Sequence, residues 1–487
     1  MRSHIRSLIS IALLVALLLT VFPASAAAAD NSALEQAIID SYTRGNQINI
    51  SQYRLTPEEL HQVFIKLLYG GKLPWYAQST YNQLQYEGNA YVSFFIPQTL
   101  DATQYDRTLY EQQVAQILAE VVHPGMSAVQ KALAIHDYLI AHCAYDESLE
   151  KNTCYDLLVN GSTVCAGYAD AYMDLMNRLG IECITVASDE MEHAWNLIRI
   201  DESWYHVDLT WDDPSPNVYG QVRHQYFLLT DEEMLAEGDE GHYGWETEIT
   251  CTDSRFSDAY WRDVESQICF TDSTACYFRE DIDWTGHIRY RTEETGEETT
   301  LHSNKKQYIN IGYGKYSYTH TGLSLWNDRL YFSDLNTVYS TDLNGSDLRT
   351  EYRYDTGSNQ RFIYGSFVEN DTLYLALGDH EFEHISLEVS LEPTDYHKHS
   401  YQDTVIAPTC LDSGITIHTC DCGITFESDP TDATGHDYHG ETSILSTPFE
   451  NGEMCYTCTA CGDSYTADLP KISFITWIFR MLEDLFS

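Results

Sequence analysis

The sequence predicts an α+β core, in which a helix packs on an antiparallel sheet, followed by an all-β module and small cysteine-rich repeats. An apolar pattern with helical spacing covers residues 165–179. Two patterns typical of strands follow it, at residues 186–200 and 203–209. Short tyrosine-rich strands begin near Thr271, and six of the 13 cysteines lie within residues 410–461.

The overall charge of the chain argues against some classes of binding partner. The chain of 487 residues carries 27 basic and 74 acidic residues, a net charge of −47. This charge argues against nucleic-acid binding and against electrostatic adsorption to anionic lipid. It suits a soluble exported protein, and it could attract cationic substrates such as lysine-rich peptides. The length predicts about three domains.

The N-terminus predicts a secretory signal peptide over residues 1–26. Arg2 and Arg6 precede the apolar run Leu8 to Phe22, which is short for a membrane span. Ala24-Ser25-Ala26 then supplies small residues for cleavage. We therefore expect a secreted or cell-surface protein with no integral membrane span once the signal is removed.

Cys165 lies at or just before the first turn of the predicted helix. The free N–H groups and the positive dipole of a helix N-terminus favour a thiolate there and lower the pKa of the cysteine. The same N–H groups could receive the oxyanion of a tetrahedral intermediate. Ala166 and Gly167 are small enough to let a substrate backbone approach. The alternative is a buried structural cysteine at a helix end.

His193 and Asp208 fall on one face of the predicted hairpin. The register follows if Ile200 pairs with Ser203. Trp195 then lies opposite Asp208, and His193 is the diagonal neighbour, close enough for the two side chains to meet. The carboxylate could orient the imidazole and leave its other nitrogen facing the thiol.

Three alternatives stay open on this hairpin. His206 shares the strand of Asp208 and competes with His193 for the role of base. Asp201-Glu202 is an unusual pair for a two-residue hairpin loop, so a longer loop could shift the register. His193 and Asp208 could also be ordinary polar residues on a half-exposed hairpin.

These motifs resemble the transglutaminase-like superfamily, a papain-related group. The resemblance rests on the cysteine at the helix start, on His193-Ala194-Trp195 and on Trp204-Tyr205-His206-Val207-Asp208. Secreted bacterial members are the most similar, and the resemblance covers about residues 48–245. It includes Lys131 to Leu139 upstream and Gly241-His242 downstream.

The resemblance implies a papain-like fold and a catalytic triad. Cys165 would be the nucleophile, His193 its base and Asp208 the residue that orients the base. Residues 27–126 would form an N-terminal cap, and residues 127–270 the catalytic domain. We expect no cofactor and no metal in this site.

Within these two regions several elements and residues have local explanations. Thr56-Pro57-Glu58-Glu59 marks a helix start in the cap, and residues 106–122 predict a longer helix. His136 is expected to be a buried, hydrogen-bonded core histidine. Asp212 and Asp213 before Pro214 suggest a turn at a strand end rather than a divalent-metal site.

Residues 271–393 predict a β-rich module for binding or spacing. Leu323 to Phe332 is similar to Gly365 to Leu375, and the offset of about 43 residues is that of a propeller blade. The module is too short for the four blades of a closed propeller. A partial propeller or a small antiparallel sandwich is therefore expected.

Residues 394–470 contain two cysteine-rich repeats. His399-Ser400-Tyr401 matches His436-Asp437-Tyr438, and Cys420-Asp421-Cys422-Gly423 matches Cys458-Thr459-Ala460-Cys461-Gly462. A Cys-x-x-Cys-Gly turn is typical of a zinc knuckle, and Cys410 with His436 could complete one set of four ligands. The second repeat has no counterpart of Cys410, and disulfides are common outside the cell. Zinc and disulfides are equally supported here.

The chain ends in a predicted amphipathic helix over residues 471–487, which is too short to cross a bilayer. In an exported protein the cysteines of the first half could form disulfides, although Cys183 suits a core position.

Taken together, the motifs predict a secreted cysteine-dependent enzyme that acts on peptide or glutaminyl amides through a thioester. Its partners would be protein or peptide substrates, including those of the cell envelope. Water as acceptor would make it a protease or amidase, and an amine would make it a cross-linking acyltransferase. The alternative is a non-catalytic cell-surface adhesin or scaffold that keeps the fold.

Overall fold

A computed structural model gives the fold. It describes residues 32–87, 91–123, 125–214, 219–236, 241–245, 247–271, 274–280, 286–304, 307–310, 315–318, 322–343, 345–355, 361–369, 371–378, 384–391, 401–420, 425–431, 433–474 and 476–477. The chain divides into two compact units. The first contains residues up to Leu67 together with Gln78–Thr99, and the second contains Leu68–Ala77 and the chain from Leu100 onward. The predicted signal peptide, residues 1–26, lies outside the described residues.

The first unit is a small sheet with two helices. Its elements are α1 (Ser32–Arg44), β1 (Ile48–Asn49), α2 (Pro57–Tyr69), β2 (Ala77–Glu87) and β3 (Tyr91–Thr99), with the strand order β1-β3-β2. The helix start predicted at Thr56 is confirmed. The Thr56 hydroxyl accepts from the backbone N–H of Glu59, and the Glu59 carboxylate accepts from the Thr56 N–H at 2.8 Å. This capping box fixes the first turn of α2.

The second unit begins with the helices and strands that hold the predicted site. The helices are α3 (Arg107–Val121), α4 (Ala128–His142), α5 (Cys154–Asn160), α6 (Cys165–Arg178), α7 (Leu209–Asp212) and α8 (Asp231–Ala236). The strands are β4 (Ala144–Tyr145), β5 (Ser162–Thr163), β6 (Cys183–Ser188), β7 (His193–Ile200), β8 (Ser203–Val207) and β9 (Phe227–Leu229). Helix α3 packs into the core of this unit through Tyr110 and Val114, although the sequence places it in the cap region.

Helix α6 packs against a four-stranded antiparallel sheet of order β6-β7-β8-β9. Tyr172 and Met176 of α6 are fully buried, as are Leu197 and Ile198 of β7. The helix ends at Gly180, whose φ of +71° is easy only for glycine. The central part of the fold is therefore the predicted helix on an antiparallel sheet.

A buried polar network joins α4 to the segments behind the sheet. The Asp137 carboxylate contacts His136 Nδ1 and His224 Nε2, each at 2.9 Å, and accepts from the backbone N–H of Ile268 at 2.7 Å. His136 Nε2 lies 3.1 Å from the Asp212 carboxylate, which also accepts from the N–H of Tyr226. His136 is thus the buried, hydrogen-bonded core histidine that the sequence predicts. Asp212 ends the short helix α7 and serves the same network.

The all-β region consists of antiparallel strands that pair in sequence order. They are β10 (Cys269–Thr271), β11 (Thr274–Glu280), β12 (Gly286–Thr292), β13 (Glu298–Asn304), β14 (Gln307–Asn310), β15 (Lys315–Tyr318), β16 (Leu323–Trp326), β17 (Arg329–Ser333), β18 (Thr337–Asp342), β19 (Arg349–Arg353), β20 (Phe362–Glu369), β21 (Thr372–Gly378) and β22 (His384–Ser390). The sheets are β10-β11-β12-β13, β14-β15, β16-β17-β18-β19 and β20-β21-β22.

The two similar stretches of this region form equivalent hairpins. Trp326 pairs with Arg329 at the end of the first, and Glu369 pairs with Thr372 at the end of the second. Trp326 Nε1 donates to the carboxylate of Asp371 in the second turn at 2.9 Å. The internal repeat therefore corresponds to two hairpins in neighbouring sheets, because β16 packs beside β20.

Each cysteine-rich repeat folds as a three-stranded antiparallel sheet. The first contains β23 (Tyr401–Ile406), β24 (Gly414–Cys420) and β25 (Thr425–Thr431), and the second β26 (Tyr438–Ile444), β27 (Gly452–Cys458) and β28 (Ser464–Leu469). The predicted fold class is confirmed: a mixed helix and sheet core with antiparallel strands precedes an all-β region. Most of the predicted C-terminal helix, residues 471–487, lies outside the described residues. Within the described part of the chain, the structure contains no helix with the length and apolar character needed to cross a membrane.

Candidate active site

Cys165 is the first residue of helix α6. Val164 precedes it in an extended conformation, and the helical hydrogen bonds begin with Gly167 and Tyr168, whose N–H groups donate to the Val164 carbonyl. The thiol therefore lies at the positive end of the helix dipole, as the sequence predicts. Unlike the buried cysteines of the core, Cys165 is partly exposed.

The structure explains the glycine at position 167 by close packing, which differs from the predicted explanation. A Cβ on Gly167 would lie 2.1 Å from the Thr163 hydroxyl and 2.7 Å from the Thr153 carbonyl oxygen. Gly167 is buried, so its size lets α6 begin close against the preceding segment rather than making room for a substrate. The expectation that Gly167 makes room for a substrate was wrong. A residue close to Cys165 in the helix can face the core instead of the cleft.

The helix and the sheet are locked together one turn beyond the cysteine. The buried side-chain amide of Asn196 on β7 donates to the Ala169 carbonyl of α6 at 3.0 Å and to the Ile184 carbonyl of β6 at 3.3 Å. Since Asn196 lies three residues after His193, this contact fixes the strand that carries the histidine relative to the helix that carries the cysteine. Sequence reasoning did not single out Asn196.

The hairpin has the predicted register. Ile200 pairs with Ser203 and Asn196 with Val207, so the loop is the two-residue Asp201-Glu202. Asp201 takes a φ of +54°, a conformation that aspartate tolerates better than most residues. Asp208 follows the end of β8, and His193 Nε2 lies 2.6 Å from its carboxylate. The structure thus brings together the histidine and aspartate that the sequence pairs.

The Cys165 thiol and the His193 imidazole each shift the pKa of the other. Burial raises the pKa of the Cys165 thiol, but the hydrogen bond and charge of His193 and the backbone N–H of Ala194 outweigh it, so this pKa lies below its ordinary value. Burial lowers the pKa of His193, yet the Asp208 charge and the hydrogen bonds to Asp208 and Cys165 raise it to about 10. Both shifts favour a thiolate beside an imidazolium.

His206 is engaged elsewhere and does not compete for the role of base. Its Nδ1 accepts from Trp195 Nε1 at 2.9 Å, and its Nε2 lies 2.9 Å from the Asp231 carboxylate. The ring is fully buried. Of these two histidines, His193 is the one in hydrogen-bond contact with the Asp208 carboxylate.

A second histidine, which sequence reasoning did not assign, contacts the same aspartate. His242 is fully buried, and its Nε2 lies 2.7 Å from the Asp208 carboxylate oxygen that His193 also contacts. Two more hydrogen bonds reach the carboxylate from the backbone N–H groups of Thr210 and Trp211. Although burial opposes ionisation, the two histidines hold the pKa of Asp208 well below its ordinary range.

The thiol opens into a shallow cleft of about 380 Å³. The cleft is lined by Tyr145, Glu147, Cys165, Met191, Glu192, His193, Thr210, Trp211 and Asp213. Glu147 and Glu192 are exposed, whereas burial raises the pKa of Asp213 to about 7. The exposed carboxylates give the rim of the cleft a negative charge.

Two groups of side chains near the sheet have donor atoms that could hold a metal ion. His193, Asp208 and His242 form one, and His206, Asp231 and Cys251 form another. In both groups the donors already hydrogen-bond to one another or to the backbone, so an ion would have to break those bonds. The arrangement fits proton transfer and nucleophilic attack by a thiolate.

These features place a cysteine and a histidine at one cleft, with an aspartate in contact with the histidine. Residues 115–209 match the model of the transglutaminase-like superfamily, and this segment contains all three predicted site residues. This part of the chain is therefore a transglutaminase-like domain.

Among curated proteins, the kyphoscoliosis peptidase of Mus musculus is 24% identical over 162 residues, which cover 28% of this chain and 24% of that protein. The kyphoscoliosis peptidase of Homo sapiens is 23% identical over 170 residues, covering 28% and 26% respectively. The chain thus spans about a quarter of the length of these relatives. A solved structure of a TGase is 15% identical, with 26% of this chain and 44% of that chain covered at a TM-score of 0.18.

Proposed function

We propose that this chain is an exported cysteine peptidase that cleaves peptide amides through a thioester on Cys165. The observation that carries the proposal is that Cys165 and His193 line one open cleft, with His193 Nε2 2.6 Å from the Asp208 carboxylate. A hydrogen-bonded thiol, base and orienting carboxylate form the usual arrangement of a thiol nucleophile. The name of the curated relatives, peptidase, favours water as the acceptor.

The chemistry follows from the two pKa shifts. The Cys165 thiolate attacks the substrate carbonyl carbon, and N–H groups at the start of α6 stabilise the oxyanion that forms. The imidazolium of His193 then donates its proton to the leaving amine, and a thioester remains on the sulfur. Water attacks the thioester with His193 as base, which releases the acid and regenerates the thiol. Asp208 keeps the imidazole oriented throughout.

The test is a library of glutamine-containing peptides, incubated with the full chain in the presence and absence of a primary amine and analysed by mass spectrometry. Cleaved peptides that do not change with the amine are the expected products. Amine adducts would instead identify a cross-linking acyltransferase. The Cys165→Ala variant is the matched control, because it removes only the sulfur. If wild type and Cys165→Ala give the same products, or none, the scaffold alternative is correct.

The acidic cleft rim adds an expectation on substrate charge. Glu147 and Glu192 line the cleft near Cys165, and the whole chain carries a net charge of −47. Peptides with lysine or arginine near the scissile bond should therefore be cleaved preferentially in the same library, and the preference should weaken at high salt.

The dependence of kcat/KM on pH should be a broad bell. Activity falls on the acid side as the Cys165 thiolate is protonated, at a pH below that of an ordinary thiol. On the alkaline side it falls as His193 loses its proton near pH 10, far above the value of about 6.5 for free imidazole. Initial rates on one cleaved peptide between pH 4 and 11 would measure both limbs. An alkaline limb that already declines near pH 6.5 to 7 would contradict the ion pair, because His193 would then lose its proton at its ordinary pKa.

A further inference from the structure

The two cysteine-rich repeats meet at a cluster of four side chains. Cys410 Sγ lies 3.7 Å from Cys458 Sγ, and Cys461 Sγ lies 3.3 Å from His436 Nδ1. All four donor atoms lie within 4.8 Å of one another. Sulfurs bound at about 2.3 Å to tetrahedral zinc are themselves about 3.8 Å apart, whereas a disulfide requires about 2.05 Å.

We propose that Cys410, His436, Cys458 and Cys461 bind one structural zinc ion that joins the two repeats. Three sulfurs and one imidazole form a Cys₃His set, which selects zinc over hard cations such as Ca²⁺ or Mg²⁺. Binding releases the three thiol protons to solvent and requires no oxidant.

The Cys-x-x-Cys-Gly turn has the geometry of a metal knuckle. The backbone N–H of Cys458 donates to the Asp463 carbonyl at 2.8 Å, which closes the turn. Gly462 has a φ of +78°, and its N–H donates to the Cys458 carbonyl at 3.0 Å. This fold of the backbone directs both sulfurs of the turn to one side.

The other two ligands are held in place by backbone hydrogen bonds between loops. Next to Cys410, the Thr409 carbonyl accepts from the N–H of Thr434 at 2.8 Å, which ties this loop to the segment before His436. Next to His436, the Asp437 carbonyl accepts from the N–H of Thr459 at 3.0 Å, which ties that segment to the knuckle. Three separate segments therefore converge on the cluster.

The repeats also need a source of stability other than apolar burial. Among the described side chains of residues 401–474, the buried hydrophobic ones are those of Cys410 and Cys458, which are 7% and 2% exposed. Val405, Leu411 and Phe449 are each at least 70% exposed. Small domains without a hydrophobic core depend on metals or cross-links. The cluster is the point where such a link would act.

The site spans the repeats, which explains why the second repeat lacks a counterpart of Cys410. Cys410 belongs to the loop between β23 and β24 of the first repeat, while the other three ligands precede or belong to the second. Cys455, the remaining cysteine of the second repeat, lies on β27 with its sulfur 3.9 Å from the Thr457 hydroxyl and outside the cluster. It provides a matched control.

The experiment measures zinc by elemental analysis in the full chain, purified without reductant and without a metal-binding tag. The wild type and Cys455→Ser should hold the same amount, at least one equivalent. Cys410→Ser and Cys458→Ser should each hold one equivalent less. After exchange with Co²⁺, the sulfur-to-cobalt charge-transfer absorption should weaken in Cys410→Ser and stay unchanged in Cys455→Ser. His436→Cys should retain the metal, because cysteine can replace the imidazole as ligand.

Limited proteolysis provides a separate readout of the same site. Chelation should make residues 401–470 sensitive to limited proteolysis while Cys165 still reacts with iodoacetamide. The proposal is overturned if the wild type holds less than one equivalent of zinc, if peptide mapping finds a disulfide between any two of Cys410, Cys458 and Cys461, or if Cys458→Ser holds as much zinc as Cys455→Ser. These results do not depend on peptidase activity.

Discussion

Cys165→Ala and His193→Ala should each reduce kcat by roughly 10⁵-fold to 10⁶-fold, and the double variant should be no worse than either single one. The thiolate and the imidazolium act as one charge pair, in which each group favours the charged form of the other. Losing one member removes the function of both, so the two losses do not add. Turnover of the best peptide from the library, measured by mass spectrometry, gives the three rates.

The controls separate loss of chemistry from loss of fold. His61→Ala changes an exposed histidine of the first unit, and Cys455→Ser changes a cysteine of the second repeat; both should keep wild-type turnover. Near-ultraviolet circular dichroism should be the same for all variants. If the losses in Cys165→Ala and His193→Ala multiply in the double variant, the two residues act independently and the triad assignment is wrong.

Asp208→Asn should lower kcat by about 10⁴-fold while KM changes little. The amide can donate a hydrogen to His193 Nε2, which would turn the imidazole to the wrong tautomer. The substitution also removes the charge that contributes most to raising the pKa of His193, so the alkaline limb of the pH profile should move to lower pH. Measuring kcat/KM against pH for this variant tests both effects.

His242 offers a milder change at the same carboxylate. His242→Phe keeps a ring in the buried space but removes the hydrogen bond to Asp208, and we expect a loss of about 10-fold. If His242→Phe loses as much activity as Asp208→Asn, both variants act by displacing the carboxylate of residue 208. The loss in Asp208→Asn would then not report on the contact with His193 alone. An unchanged alkaline limb in Asp208→Asn would contradict the orienting role of Asp208.

Much of the candidate site could be predicted because its geometry is local. A helix start places Cys165 at the end of a dipole, and strand alternation with one hairpin loop aligns His193 with Asp208. Both follow from patterns within about fifty residues of sequence. The same local rules predict the helix start at Thr56 and the helical pattern over residues 165–179.

The residues that sequence reasoning missed make contacts that no local pattern encodes. His242 reaches Asp208 from 34 residues further along the chain, through loops and the short helix α8. The available signal for His242 was the Gly241-His242 pair, which is part of the family resemblance. Cys410 and His436 were predicted to join a Cys-x-x-Cys-Gly turn, but the sequence did not show which of the two turns they join. The structure brings them to Cys458 and Cys461, a contact between the two repeats. Gly167 was misread because its neighbours Thr153 and Thr163 come from the segment before the helix.

The two-residue loop Asp201-Glu202 helps to set the position of Asp208 relative to His193, although it contacts neither residue. Side chains of a strand alternate between faces, so one inserted or deleted residue in this loop would slide β8 past β7 and turn Asp208 away from His193. Substitutions in the loop that keep its length leave the pairing of Ile200 with Ser203 intact. The spacing of base and carboxylate is therefore tied to the pairing of Ile200 with Ser203 at the far end of the hairpin.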